Sequence, residues 1–236
     1  TSPSAASATA DLNGMATLMA CTEILNRLKK VAADELKTTV DAIALRDGMV
    51  MKNGLPSDIT WNKLVMNAFV KRVSLSEHAH YATPEIYFDT TKEKGHPFAY
   101  HVYGTAITVA TVDCLRGTYA FDAVKVVHDF GSSMNPIIDK GQIEGGLVQG
   151  IGWMTMEEII YDKEGRLRSN TLSTYKVPDI YAVPKEIDIH FLNTQNDNLA
   201  IFKSKAVGEP PLMYGIGAFF AIRKGGFVGS NGNAQT

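Results

Sequence analysis

Near the start of the chain Leu12, Met15, Leu18, Met19, Leu25 and Leu28 recur at helical spacing. That period predicts a helix over roughly 11–33, with Asp11 as its N-cap. A weaker, partly helical stretch runs on to about 45. Gly48, Asn53-Gly54 and Pro56-Ser57-Asp58 then mark turns, and residues 61–70 read as a short helix. From about 72 the pattern changes to β-branched and aromatic residues. Strands are predicted at 73–82, 98–114 and 119–129, with a hairpin turn over 115–118. A second long helix covers roughly 136–158, with Pro136 near its first turn. Strands follow near 187–193 and 199–203, a final helix over 212–223, and a Gly/Asn-rich tail over 225–236 that reads as loose. Helices alternating with hairpins predict an α+β fold, with mixed or antiparallel sheets packed against long helices. A lobe boundary is expected near 70–80.

Composition narrows the function classes. The 236 residues carry a net charge of −2, so no basic excess points to nucleic acid. No run of about 18 apolar residues suggests a membrane span, and no signal peptide stands at the start. The first residues are Thr1-Ser2-Pro3, without Met, and the chain is expected to be an internal or C-terminal piece of something longer. Cys21 and Cys114 are far apart. Two buried free thiols of a cytoplasmic protein are expected rather than a disulfide, and two thiolates cannot hold an iron–sulfur cluster that needs about four.

Three segments could carry chemistry. In Ser204-Lys-Ala-Val-Gly-Glu-Pro-Pro211, Pro210 biases Glu209 toward extended backbone and Gly208 permits a tight bend. The Glu209 carboxylate is then aimed as a general base needs. Loop glutamates are mostly just solvated, so local physics leaves both readings standing. In Thr1-Ser-Pro-Ser-Ala-Ala-Ser-Ala-Thr-Ala-Asp11, small hydroxyl residues crowd a helix entrance, where free N–H groups favour an anion such as phosphate. A frayed terminus or simple cap fits the same residues. In Gly141-Gln-Ile-Glu-Gly-Gly-Leu-Val-Gln-Gly-Ile-Gly152, five glycines each cost a helix about 1 kcal/mol relative to Ala. Close packing on another backbone or on a flat ligand would offset that, and Gln142 and Gln149 could read a heterocycle or phosphate. His78 and His80 lack a nearby third ligand, and the other histidines are isolated. Asp129-Phe-Gly131 echoes a kinase triplet without any other kinase element.

Taken together, these segments resemble the C-terminal part of the molybdenum-binding region of the xanthine dehydrogenase and aldehyde oxidase family. Further matching stretches are Asp11-Leu-Asn-Gly14, Gly95-His-Pro-Phe98 with Tyr103-Gly104, Asp113-Cys-Leu115, Asp129-Phe-Gly-Ser-Ser-Met-Asn-Pro136, Val148-Gln-Gly150 and Ser173-Thr-Tyr-Lys-Val-Pro178. They stand in the family's order over roughly residues 1–223, and read closest to its xanthine dehydrogenase branch.

The resemblance implies roles residue by residue. Glu209 matches the base beside molybdenum. Ala6 matches the small residue next to the metal, and Ala5, Ser7, Ala8 and Thr9 match the loop that holds the pterin and its phosphate. Gln142 matches a glutamine contacting the pterin. The metal would be held by the cofactor's dithiolene sulfurs rather than by side chains, and the pterin could be plain or carry a cytosine dinucleotide. The implied reaction oxidises a xanthine-type purine with water as oxygen source, and electrons leave through 2Fe-2S centres to FAD. The partners implied are an upstream molybdenum-binding lobe, iron–sulfur and flavin modules, and a dimer of complexes. Aldehyde oxidases and nicotinate-type heterocycle dehydrogenases are the nearest alternatives in the family; a scaffold without catalysis is the alternative outside it. The Gly/Asn tail departs from the family's pattern.

Overall fold

The computed structural model describes residues 7–192, 194 and 200–230. Among them the chain forms two compact units: one spans Leu12–Ala82, and the other holds residues 7–11 together with those from 83 onward. The fold is α+β, with mixed sheets and long helices.

In the first unit, helix α1 (Thr9–Glu35) runs on from its opening turn and buries Leu28, Val31 and Ala32. Because α1 begins at Thr9, Asp11 lies inside its first turn rather than at its cap. Strands β1 (Ile43–Arg46), β2 (Met49–Lys52) and β3 (Leu55–Thr60) form an antiparallel meander. Both connections are two-residue turns, Asp47-Gly48 and Asn53-Gly54, with all four residues at positive φ, the geometry that hairpins favour. Those turns explain two departures from the sequence reading. The partly helical stretch includes a 3-10 turn at Val40–Ala42 but ends there, and residues 43–46 are a strand because the tight turn after them forces pairing. Pro56-Ser57-Asp58 lies within β3 rather than in a turn, and β3 is an edge strand that tolerates a proline. Helix α2 (Trp61–Val70) forms as its spacing predicts, with the Thr60 hydroxyl accepting the Lys63 N–H at 3.3 Å. Residues 73–82 make no strand. Their carbonyls turn instead to Arg27, which donates to Ser74 O (3.3 Å) and Ser76 O (3.0 Å) and pairs with Glu77.

In the second unit, β4 (Tyr87–Asp89) and β5 (Lys94–His96) form a small hairpin. β6 (Gly104–Asp113) and β7 (Thr118–His128) form a long one, and β8 (Glu186–Phe191) pairs parallel to β7. Helix α3 (Pro136–Thr155), capped by the Asn135 side chain, and helix α4 (Ile216–Ser230) complete the layer. Phe121, Val124, Val126, Ile143, Leu147, Ile151 and Ala218 make the core between them. α3 ends at Thr155, short of the predicted 158. The strand predicted at 199–203 is a 3-10 turn, Ile201–Lys203, because Phe202 (φ 51) and Lys203 (φ 63) sit in the left-handed region.

Two glycine patterns organise this unit. Gly150 of α3 meets the 3-10 turn Pro210–Gly215 backbone to backbone. A Cβ at Gly150 would stand 2.2 Å from Leu212 O, and one at Gly215 2.2 Å from the Gly150 carbonyl carbon. Gly145, by contrast, faces open space. On α4, Gly217, Gly225 and Gly229 fall on one face and lie against Thr108 and Val112 of the edge strand β6 and against Cys114 just after it. The stretch from Gly225 is therefore helical to Ser230, not loose, because its glycines seat the helix on the sheet. Residues 231–236 lie outside the described residues.

Gly150→Ala should lower stability by about 2 kcal/mol through forced backbone separation, whereas Gly145→Ala should raise it by about 0.5–1 kcal/mol. Urea midpoints of the two variants against the parent will read opposite signs.

Candidate functional site

The loop at residues 204–209 is fixed from β7. Asp129, directly after that strand, is 2% exposed. Its Oδ2 accepts Lys205 Nζ at 2.6 Å, and its Oδ1 accepts the Gly131 N–H (3.1 Å) and the Thr194 hydroxyl. Burial pushes the Asp129 carboxyl up, but these donors outweigh it and hold it below the usual carboxylate range. Lys205 also donates to His101 O at 3.1 Å, and its N–H reaches Phe130 O at 2.8 Å.

A second connection comes from α1. The Tyr100 hydroxyl donates to Asp11 Oδ2 at 2.5 Å and accepts the Ala206 N–H at 2.9 Å. The opening turn of α1 is thus tied to the same loop. Burial raises the Asp11 carboxyl, with the Tyr100 hydrogen bond working against it. Burial and the neighbouring carboxylate also raise the Tyr100 phenol.

A third connection is made by Ser7. Its backbone is left-handed (φ 59), and its Oγ accepts the Glu209 N–H at 2.8 Å. That bond shapes Glu209 itself. Its backbone is helical (φ −102, ψ −39), not extended as the following proline suggests, because Glu209 opens the 3-10 turn and its carbonyl accepts the Leu212 N–H at 3.1 Å. The stiff, extended stalk expected for this carboxylate is instead a turn held from both sides.

Between these elements lies a cavity of about 290 Å³, walled by Ser7, Thr9, Gln142, Ser132, Lys205 and Gly208 among others. Thr9 and Ala10, both in its wall, open α1, where a helix start leaves N–H groups without helical partners. At Gly208 a Cβ would stand 3.0 Å from Ser7 Oγ and 3.9 Å from Gln142 Oε1. The bare backbone there is what lets Ser7 approach the 204–209 loop so closely. The chain therefore brings together three of the positions picked out from sequence, Ser7, Thr9 and Gln142, with Glu209 following Gly208 directly. Ala8 lies between two wall residues without lining the cavity, and Gln149 is not among its walls. Ala5 and Ala6 lie outside the described residues.

Sequence reasoning missed Asp129, Tyr100 and the tie between Tyr214 and His128. Asp129 was visible only as part of a matched stretch. Tyr100 lies 106 residues before the amide it accepts, and no local pattern marks such a partner. His78 and His80 are exposed, and so are the free thiols Cys21 and Cys114, contrary to their expected burial. No group of three or more His, Cys, Asp or Glu is placed to hold a metal among the described residues.

Hydroxyls, an amide, a helix start and a glycine backbone line this one cavity, the chemistry of a domain that holds a polar cofactor. The chain belongs to the molybdopterin cofactor-binding domain family, whose sequence profile matches residues 1–184. It is 41% identical over 223 residues to xanthine dehydrogenase/oxidase of Mus musculus, covering 94% of this chain and 15% of that protein. It is 39% identical over 225 residues to xanthine dehydrogenase of Drosophila pseudoobscura pseudoobscura, covering 95% and 15%. The chain thus spans about 15% of the length of the curated relatives it matches. Its fold is similar to that of quinoline 2-oxidoreductase from Pseudomonas putida 86, with a TM-score of 0.71, 24% identity, and coverage of 89% of this chain and 26% of that one. No helix among the described residues is long and apolar enough to cross a membrane.

Lys205→Met should cost about 3–5 kcal/mol at neutral pH, because it strands the buried Asp129 carboxylate. The sign with pH follows from the depressed Asp129 carboxyl. Its contribution is present above the unfolded carboxylate range, about pH 4, and is lost as pH falls through the lower folded value. The gap between parent and variant in urea unfolding should therefore be large at pH 7 and shrink below pH 4.

Proposed function

We propose that this chain holds one side of a molybdopterin cofactor in a xanthine dehydrogenase-type hydroxylase, with Glu209 as the catalytic base. One observation carries the reading: the Ser7 hydroxyl, in the cavity wall, accepts the N–H of Glu209. The residues matched to the pterin loop and the residue matched to the base are thus joined by a direct bond. Gly208 packs its bare backbone against Ser7, where a Cβ would stand 3.0 Å from Oγ, and so keeps the two walls of the cavity in register.

When bound, the cofactor supplies a two-electron oxidation with water as the source of oxygen. The chain's own residues do the rest. Gln142 and the hydroxyls of Ser7 and Thr9 hydrogen-bond the pterin and its phosphate, with Ala5, Ala6 and Ala8 completing that loop. The helix start at Thr9 favours the phosphate's negative charge. Glu209 takes a proton at the reacting centre. The Ser7 bond and the Lys205–Asp129 pair hold its backbone, so the carboxylate reaches that proton without a search through rotated loop states. Identities of 39–41% to xanthine dehydrogenases favour a xanthine-type purine as substrate. In that reading 2Fe-2S and FAD modules elsewhere in the cytoplasmic enzyme carry the electrons away, and an upstream lobe grips the substrate ring.

Glu209→Ala in the full-length enzyme should lower kcat by about a thousandfold or more while molybdenum content stays near the parent's. Gly208→Val should do the reverse in origin: its side chain runs into Ser7 and displaces the loop that carries it, so molybdenum and pterin content fall together with activity. Metal analysis beside steady-state turnover checks both. An active Glu209→Ala enzyme would remove Glu209 as the base.

A further inference from the structure

Ten residues, 205–214, carry Glu209, and both ends of that span are fastened to the last turn of β7. The first fastening is Lys205 on Asp129. The second is Tyr214, whose hydroxyl lies 2.5 Å from Nδ1 of His128, the residue immediately before Asp129. His128 is fully buried, and its ring stands edge-on to the Tyr214 ring with centroids 5.6 Å apart. The remaining ring nitrogen, Nε2, is buried without a partner among the described residues. The Tyr214 hydroxyl occupies a space that only a glycine leaves open, because a Cβ at Gly104 would stand 1.7 Å from it. We infer that His128 and Tyr214 are positioning residues for Glu209: their hydrogen bond, seated over Gly104, fixes the downstream end of the segment that carries the base. The inference rests on the reading of Glu209 as base.

The physics favours a stiff tie. The His128 imidazole is pushed down to about 4 by burial and the Tyr214 phenol up to about 12, so both are neutral over the working range and share one hydrogen bond throughout it. Removing either partner leaves the other buried and unpaired, which costs more than the net worth of the bond. With Tyr214 released, the 3-10 turn Pro210–Gly215 keeps its backbone contact with Gly150, but only the Lys205 end of the segment remains tied to β7. A base whose downstream segment keeps only packing contacts, without a directional bond, is freer to shift by a fraction of an ångström. A misplacement approaching 1 Å lowers rate by up to about a hundredfold without weakening binding.

The experiment compares four full-length enzymes loaded with cofactor: parent, Tyr214→Phe, Glu209→Gln and the double variant. Tyr214→Phe should lower kcat between about ten- and a hundredfold, with KM and molybdenum content within about twofold of the parent. In the Glu209→Gln background the same change should have no further effect on the residual rate, since the base it positions is gone. Hydrogen exchange of the cofactor-free protein gives an independent readout: Tyr214→Phe should speed exchange of the amides at 212–215 and leave those of α1 unchanged. Gly104→Ala, which displaces the hydroxyl without altering either partner, should reproduce the kcat loss. An unchanged kcat in Tyr214→Phe, a loss that tracks lost molybdenum, or an equal loss in both backgrounds would overturn the positioning role. A Glu209→Gln enzyme with parental kcat would instead overturn Glu209 as base, and the two failures are read from different variants.

Discussion

The buried pair between Lys205 and Asp129 is the constraint on which the rest of the site depends. Asp129 is 2% exposed and would be costly to hold charged alone. The protein surrounds it with an ammonium group, a hydroxyl and a backbone amide, and each donor comes from a different stretch of chain. Satisfying one carboxylate thus gathers the exit of β7, the turn after it and the loop leading to Glu209 at a single point. Such a pair is weak evidence for net stability but strong evidence for a specified geometry, because few arrangements satisfy all its partners.

The other ties build outward from that point. Tyr100 links Asp11 of α1 to the Ala206 amide, and Ser7 links the residues before α1 to the Glu209 amide. Both use side-chain oxygens to absorb backbone N–H groups that a loop cannot pair by itself. The loop therefore has little regular structure and still has few free backbone donors. The cavity wall formed this way offers hydroxyl, amide and helix-start groups, a combination suited to a polar cofactor with a phosphate.

The long elements were legible in the sequence because their periods are long. α1, α2, α3 and the β6–β7 hairpin each repeat a pattern over enough residues to be read. The failures are short or non-local. At 43–46 the strand is decided by the two-residue turn that follows it. At 73–82 extended residues lose a sheet partner to Arg27, 47 residues away from Ser74. Phe202 and Lys203 look like a strand by composition, yet adopt left-handed backbone. The glycines from Gly225 on look like a tail by composition, yet their spacing of four seats a helix on β6. For the candidate site, Ser7, Thr9 and Gln142 were readable through a resemblance, and the structure brings them to one cavity. The helical backbone of Glu209 was not readable, since the proline preference that predicts otherwise is outweighed by a partner 202 residues away.

The contact between Gly150 and the turn that follows Glu209 is made of main-chain atoms on both sides. Main-chain atoms are common to every amino acid, so the spacing between α3 and that turn is written in a material that most substitutions do not alter. Neighbouring side chains such as Met213, which is 60% exposed, are free to drift with little effect on where the carboxylate stands. The burden falls on the glycines instead. Where only main chain meets main chain, the alignment of the turn is set by the absence of side chains at Gly150 and Gly215 rather than by the identity of the residues around them.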